Sequence, residues 1–358
     1  MIKNHNRVLS LLHMRIFIAF ISIWTIIVTS ALNPGYGSSL SLHSMPLTHA
    51  NNNNSHLKYI GLLVPIGPPN YEVLLKNFHK LKQVKIHNFT YQIGTMYKIP
   101  VIICIQPFAG VLTRALSAQI MVDHFRVKAL LYPGTSGSHL PLSEMHIGDI
   151  VIGTENVNYE NFYMNPKGQI KAGEYSGTAG LGKYQYLYIN PLLERYAACA
   201  ALSVKKKTKL PHWINGSYRT RKINIFYYGI QGTSLMWVTD MSFMKRIDHV
   251  FHAVDEDGDW YSALVARMSN VPFIEVSTIT DSPYEFPGRG LPPTAEHVES
   301  GQQIVQNISD RVIVKLIKNY GRDLIKNKYP YVVGNPYPNL YYKTPLDPRG
   351  ITNQCRSK

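Results

Sequence analysis

A chain of 358 residues with 45% hydrophobic and 16% charged residues carries enough apolar material for one large buried core, which excludes a disordered protein. Its 37 basic against 22 acidic residues leave a formal charge of +15; no nucleic-acid fold signature accompanies that charge, so it reads as general solubility and nucleic acid is not expected as a partner. With only three cysteines, disulfides do not hold the fold together, and the 14 histidines show no paired ligand spacing that would make a metal site.

Lys3, Arg7 and Arg15 precede an apolar run from Ile16 to Val28, which closes on the small residues Thr29, Ser30 and Ala31. A basic start, a short apolar stretch and a small-residue cut site describe a secretory signal peptide over residues 1–31. The run is shorter than the roughly 20 residues that cross a bilayer, and an uncleaved anchor is the alternative; membrane contact is confined to this segment either way. The triplets beginning at Asn53, Asn88, Asn215 and Asn307 are glycosylation sequons and fit a secreted or vacuolar protein. Residues 32–57, with the run Asn51 to Asn54, have a linker composition.

Order is expected to begin near Tyr59, where YIGLLVPIG reads as a buried strand closed by a Pro/Gly turn. Strands follow at Thr90–Met96 and Pro100–Gln106. Over Gly110–Phe125 the period changes: Val111, Ala115, Ala118, Val122 and Phe125 share one helical stripe. Ala129–Tyr132 is a strand entering a small-residue loop, Pro133 to Ser138, and Asp149–Gly153 is a further apolar strand. Residues 155–222 read as loops around one helix near Pro191–Ser203. The core resumes with a strand at Ile223–Gly229, a helix near Trp260–Met268, a strand at Pro272–Ile279 and a helix over Ala295–Tyr320. The tail, 321–358, is rich in Tyr, Pro and Asn and is expected to wrap the surface. Cys104 lies in an apolar strand, and Cys199 could pair with Cys355 in an oxidising compartment. Alternating strands and helices predict a single-domain, three-layer α/β/α fold around a mixed, mostly parallel twisted sheet.

Two places pair a buried strand with a polar end. Gly134-Thr135-Ser136-Gly137 offers small residues and hydroxyls where backbone amides can approach a ligand, or an ordinary turn. Val276 to Asp281 delivers a carboxylate at the end of an apolar strand, where ligands of such sheets bind, or a turn cap.

Taken in chain order, Gly134-Thr135-Ser136-Gly137, Ile147-Gly148-Asp149-Ile150-Val151, Asp255-Glu256-Asp257-Gly258 and Pro272-Phe273 through Thr278-Ile279-Thr280-Asp281 resemble the purine nucleoside phosphorylase and methylthioadenosine/S-adenosylhomocysteine nucleosidase family. The match spans residues 58–320, leaving 321–358 as a C-terminal extension. With its leader, the chain is also similar to plant bark and vegetative storage proteins. The resemblance implies a nucleoside phosphorylase-like fold and cleavage of the N-glycosidic bond of a purine nucleoside, with no cofactor and with a homodimer as the assembly. Asp281 then matches the proton donor to the purine, Asp257 the carboxylate on the ribose hydroxyls with Glu256 beside the sugar, and Glu72 the carboxylate that activates water, or else a solvated helix residue. Thr135 would lie near the nucleophile, and Gly134, Ser136 and Gly137 would line the substrate. The chain departs from the pattern at Asp257 (usually Glu), Glu256 (usually Met) and Ser277 (often Arg). Tyr132 stands where phosphorylases often place an Arg for phosphate, and Arg114 would replace that charge only if it were not a helix-surface residue. Water is therefore expected as acceptor. The alternative is a catalytically degraded protein of the same fold that stores or binds nucleosides.

Overall fold

The computed structural model describes residues 58–64, 71–108, 110–141, 143–172, 184–214, 217–236, 238, 240–256, 258–282, 295–332, 334, 336 and 341–355. The expected signal peptide and linker, and Asp257, singled out in the sequence, lie outside these residues. Thirteen strands and six helices alternate along the described chain.

The central sheet is built from strands that are apolar on both sides, as a sheet covered by helices on both faces requires. β1 (Ile60–Val64), β4 (Ile99–Ile105), β5 (Ala129–Gly137) and β13 (Phe273–Asp281) run parallel at its centre, in the order β13-β5-β1-β4. β6 (Ile150–Asn158) pairs antiparallel with β13 over its first half and parallel with β12 (Ile225–Thr233). On the other side β3 (Phe89–Met96) and β2 (His79–Ile86) add antiparallel strands and end the sheet. The sheet is therefore mixed, with a parallel core, as expected.

One face is covered by α3 (Pro191–Lys205) and α6 (Ala295–Lys326), which pack on each other and on β5, β6 and β13; the short α1 (Glu72–Lys76) leans on α6. The other face carries α2 (Val111–Phe125) and α5 (Trp260–Met268). Ile60, Leu62, Ile274 and Val276 point into the first layer, and Leu63, Leu130 and Phe273 into the second, which is the strand alternation resolved into two cores. A further helix, α4 (Met241–Phe251), packs near the end of β12, where Met244, Ile247 and Phe251 join Ile230. Asn190, whose side chain accepts from Leu192 N, and Pro191 together start α3, and Asp240 starts α4 by accepting from Ser242 N and Phe243 N.

Several expectations are corrected. Residues 133–137 are not a loop after a strand but the last part of β5, held in register with Pro133–Gly137 opposite Val276–Asp281. Residues 155–222 hold more than loops and one helix. β6 continues to Asn158, β9 (Tyr186–Tyr188) pairs with it, β7 (Phe162–Met164) pairs with β8 (Ile170–Ala172), and β10 (Lys209–Ile214) forms a hairpin with β11 (Ser217–Lys222). β2 and α4 were not foreseen. The final helix runs to Lys326, and the extension beyond it is pinned to the core: Cys355 is bonded to Cys199 on α3, and Asp347 accepts from Tyr228 OH and Thr352 N.

Candidate functional site

The carboxyl ends of β5 and β13 meet at one point. Gly137 and Asp281 are register partners, reached after an irregularity between Ile279 and Asp281 that re-aims the end of the strand. Ser138 N donates to Asp281 O at 2.9 Å, and Glu256 N donates to Gly137 O at 2.9 Å, so three chain segments are laced together by backbone bonds. A Cβ added at Gly137 would stand 2.6 Å from Glu256 Oε1 and 3.1 Å from Asp281 Oδ2. Only the absent side chain lets two carboxylates close on the same backbone atom.

Asp281 is 8% exposed. Thr280 Oγ1 lies 2.6 Å from Asp281 Oδ1 and 3.2 Å from Ser136 O. With its one proton, the hydroxyl either donates to the carboxylate or, when Asp281 is protonated, accepts from it while donating to the Ser136 carbonyl. Ser136 Oγ is buried with no hydrogen-bond partner among the described residues, and Thr135 beside it is half-buried.

The segment that carries Glu256 is clamped from both sides. Gly232 N donates to Asp255 O, Gly258 N to Gly232 O, Trp260 N to Thr233 Oγ1 and Asp259 N to Glu275 Oε2. Asp259 caps α5 by accepting from Ser262 N at 3.1 Å. Below this lies a buried polar layer. Asn156 Nδ2 donates to Glu275 Oε2, Gln231 Nε2 donates to Ser277 Oγ, and Ser277 Oγ donates to Glu275 Oε1. Burial, reinforced by the Asp259 charge, pushes Glu275 well above the usual carboxylate range. Arg114 reaches Asp259 Oδ2 at 3.3 Å and stacks on the Tyr132 ring at 4.8 Å. Burial raises Asp259 too, and the Arg114 charge opposes that rise.

On the opposite flank, His139 Nδ1 lies 2.8 Å from Asp248 Oδ1, and its Nε2 lies 3.7 Å from Glu256 Oε2. Burial alone would lower the imidazole's pKa, but the two carboxylates reverse that and push it up to about 10.

Of the residues singled out in the sequence, Gly134, Thr135, Ser136, Gly137, Glu256 and Asp281 converge here; Asp257 lies outside the described residues. Glu72 does not join the buried cluster: its side chain is 57% exposed and pairs with Lys76 at 3.1 Å, one helical turn away. Arg114 is not a surface residue, since it is buried on the sheet-facing side of α2. Gly148-Asp149 is a structural joint: Asp149 Oδ1 accepts from Arg221 Nη1 and Asn224 N, and Oδ2 accepts from His146 N. His139, Asp248, Asp259 and Glu275 were missed. Glu275 had a signal, a lone acid inside the apolar run Phe273-Ile274-Glu275-Val276; His139 and Asp248 had none beyond their type.

Residues 59–209 match the profile of the phosphorylase superfamily. No curated protein matches the chain by sequence. Among solved structures, 5'-methylthioadenosine/S-adenosylhomocysteine nucleosidase from Neisseria meningitidis, in complex with methylthio-immucillin-A, is 14% identical with a TM-score of 0.56, over 73% of this chain and 99% of that one. Futalosine hydrolase of Helicobacter pylori is 14% identical with a TM-score of 0.55, over 73% and 97%. The corresponding nucleosidase from Colwellia psychrerythraea, in complex with adenine, is 14% identical with a TM-score of 0.56, over 78% and 98%. The chain thus has the α/β fold of nucleoside phosphorylases and nucleosidases.

Proposed function

We propose that this chain is a nucleosidase that cleaves the N-glycosidic bond of a purine nucleoside, with Asp281 as the acid that protonates the leaving base. The observation that carries the reading is the pair of carboxylates, Asp281 and Glu256, closing on Gly137 from two different chain segments at the ligand-binding end of the sheet. Cleavage builds positive charge on the ribose and negative charge on the base. The Glu256 carboxylate would stabilise the first, and Asp281 would relieve the second by passing a proton to the purine N7. Two facing carboxylates divide such roles when one is held ionised and the other neutral.

Water is favoured over phosphate as the acceptor. Arg114, the side chain that could have supplied charge for phosphate, is already committed to Asp259 and to the Tyr132 ring. Glu72 is assigned no step, because its carboxylate would first have to leave Lys76 and solvent. A secretory route is part of the same proposal; the Cys199–Cys355 bond supports it, since such bonds persist in oxidising compartments.

The test is release of free base from methylthioadenosine, adenosine and inosine, with and without phosphate. Phosphate-independent release is expected, falling on the order of 100-fold or more in Asp281→Asn. An Asp281→Asn protein as active as the parent would remove the assigned acid. Binding of base without turnover in the parent would instead favour the storage or binding alternative.

A further inference from the structure

The formal charge of +15 is unevenly distributed along the chain. Between Glu194 and Asp240 stand eight lysines and arginines and no acidic residue. Most of them gather where α3 ends and the β10–β11 hairpin begins. A basic run of this kind is commonly a solvated loop, but here the backbone is tightly bonded. Lys206 N donates to Leu202 O at 3.2 Å, Lys207 N to Val204 O at 3.0 Å and Thr208 N to Lys205 O at 3.2 Å. Thr208 Oγ1 donates to Val204 O at 2.9 Å. Thr208 and Leu210 are buried, whereas Lys206, Lys207 and Lys209 are exposed.

The base of the hairpin has two unlike faces. Leu210 and Arg221 are register partners on the inner one: Leu210 is buried, and Arg221 reaches Asp149 Oδ1 at 2.7 Å and the Ile147 carbonyl. One position along, Lys209 and Lys222 are register partners on the outer face, and both are exposed. Like charges directly opposite each other on paired strands repel. Lys205, at the end of α3, joins them: burial lowers its pKa, and the Lys222 charge adds to that. Asp149 opposes the shift, but its oxygens already accept from Arg221, Asn224 N and His146 N. Among the described residues, none of Lys205, Lys206, Lys207, Lys209 and Lys222 forms an ion pair with a carboxylate. The negative end of α3 accounts for cations in its last turn. It does not account for Lys209 set opposite Lys222.

We propose that the surface formed by Lys205, Lys206, Lys207, Lys209 and Lys222 is a binding site for an acidic polysaccharide, whose carboxylate or sulfate groups neutralise the facing lysines. Charge complementarity makes the ligand a polyanion, because the cations lie along a helix end and a two-stranded ribbon. The Cys199–Cys355 bond, on the same helix, selects among polyanions. Such a bond persists in oxidising compartments, away from the cytosol and nucleus that hold nucleic acid. The anionic lipids of a cell membrane belong to its cytoplasmic leaflet. An acidic glycan is the polyanion that remains. The site shares no residue with Gly137, Glu256 and Asp281, so it goes beyond the nucleosidase reading and does not rest on it.

The probe is polygalacturonate, titrated against the full chain beside dextran sulfate as the sulfated polymer and dextran as the uncharged one. Polygalacturonate is expected to bind with an affinity that falls as salt rises, and dextran not to bind. Stronger binding of dextran sulfate would assign the sulfated class of the same ligand. At roughly 0.1 M salt, Lys209→Gln with Lys222→Gln should weaken binding about tenfold or more, since a lysine at an anionic surface contributes a factor of about five. Lys80→Gln with Lys82→Gln removes the same charge from β2, the exposed strand at the far edge of the sheet from β12, and should change affinity by less than about twofold. A third measurement needs no ligand: at low salt the Lys209→Gln, Lys222→Gln protein should melt higher than the parent, because the cross-strand repulsion is gone. Equal weakening by both pairs would reduce the effect to net charge and overturn the site. A lower melting temperature in the hairpin pair would remove the repulsion from which the site is argued. Single-stranded DNA or phosphatidylserine vesicles bound more tightly than either acidic polymer at the same salt would overturn the choice of ligand.

Discussion

Replacing Gly137 by alanine puts a single methyl group between the two carboxylates on which the proposed chemistry depends. Gly137 does not adopt positive φ, so alanine is tolerated by the backbone and the effect is one of space. Its Cβ would meet Glu256 Oε1 at 2.6 Å and Asp281 Oδ2 at 3.1 Å, against 3.4–4 Å for ordinary contact. The Glu256 carboxylate must therefore retreat by about 0.8 Å, and a misplacement of about 1 Å in a reacting constellation costs on the order of 100-fold in rate. That is about 2.7 kcal/mol of transition-state stabilisation. The fold should survive, because alanine also reduces the freedom of the unfolded chain by about 0.4–1 kcal/mol, which offsets part of the clash. The assay is base release from methylthioadenosine or adenosine beside a thermal melt. The expected outcome is a loss near 100-fold in kcat/KM with a melting temperature within a few degrees of the parent. Turnover within about threefold of the parent, with the methyl group in place, would show that the carboxylates need not close on Gly137 and would refute the geometric argument.

Asp310 lies inside α6, where burial holds its pKa up to about 8 against an ordinary 3.8, with Gln306 Nε2 as a hydrogen-bond donor. An acid whose pKa is raised by folding is favoured in its protonated form, so its cost grows as pH rises above about 4 and is complete above about 8. Asp310→Asn is therefore expected to be increasingly more stable than the parent from pH 5 to pH 9, by up to a few kcal/mol at about 1.4 kcal/mol per unit; melting curves that stay parallel across that range would count against it. The Cys199–Cys355 bond closes a sequence separation of 156 residues, for which the chain-entropy treatment gives roughly 5 kcal/mol as a ceiling. Cys199→Ser, or reduction, should lower the melting temperature and loosen residues 341–355 in hydrogen exchange; an unchanged melt and exchange pattern would show that the other contacts of the tail, such as Tyr228 with Asp347, suffice.

Periodicity and composition carry what is local. The apolar runs around Leu62, Ile102, Leu130 and Val276 announce strands buried on both faces, and the helices over 111–125 and 260–268 follow from spacing. Gly137 and Asp281 stood out because Gly137 lay in a small-residue stretch after one apolar strand and Asp281 ended another in a carboxylate. β2 escaped because it borders the sheet and most of its residues face solvent, so it has no buried alternation to read. α4 escaped although Met244, Ile247, Asp248 and Phe251 do follow helical spacing, because it lies between the strand read at Ile223–Gly229 and the helix read near Trp260, where no element was assigned. Pairing is what sequence could not supply. His139 meets Asp248 across 109 positions, Arg114 meets Asp259, and Glu256 and Asp281 both approach Gly137, each pair drawn from different elements. The period of a segment tells which way a side chain faces and says nothing of what it will face. That is decided by the order β13-β5-β1 in the sheet and by the backbone bonds that dock the segment after α4 on β5 and β12. An arginine on a helix stripe looks like a surface residue until the neighbouring helix brings a carboxylate to it, and burial then turns the pair into part of the site's foundation.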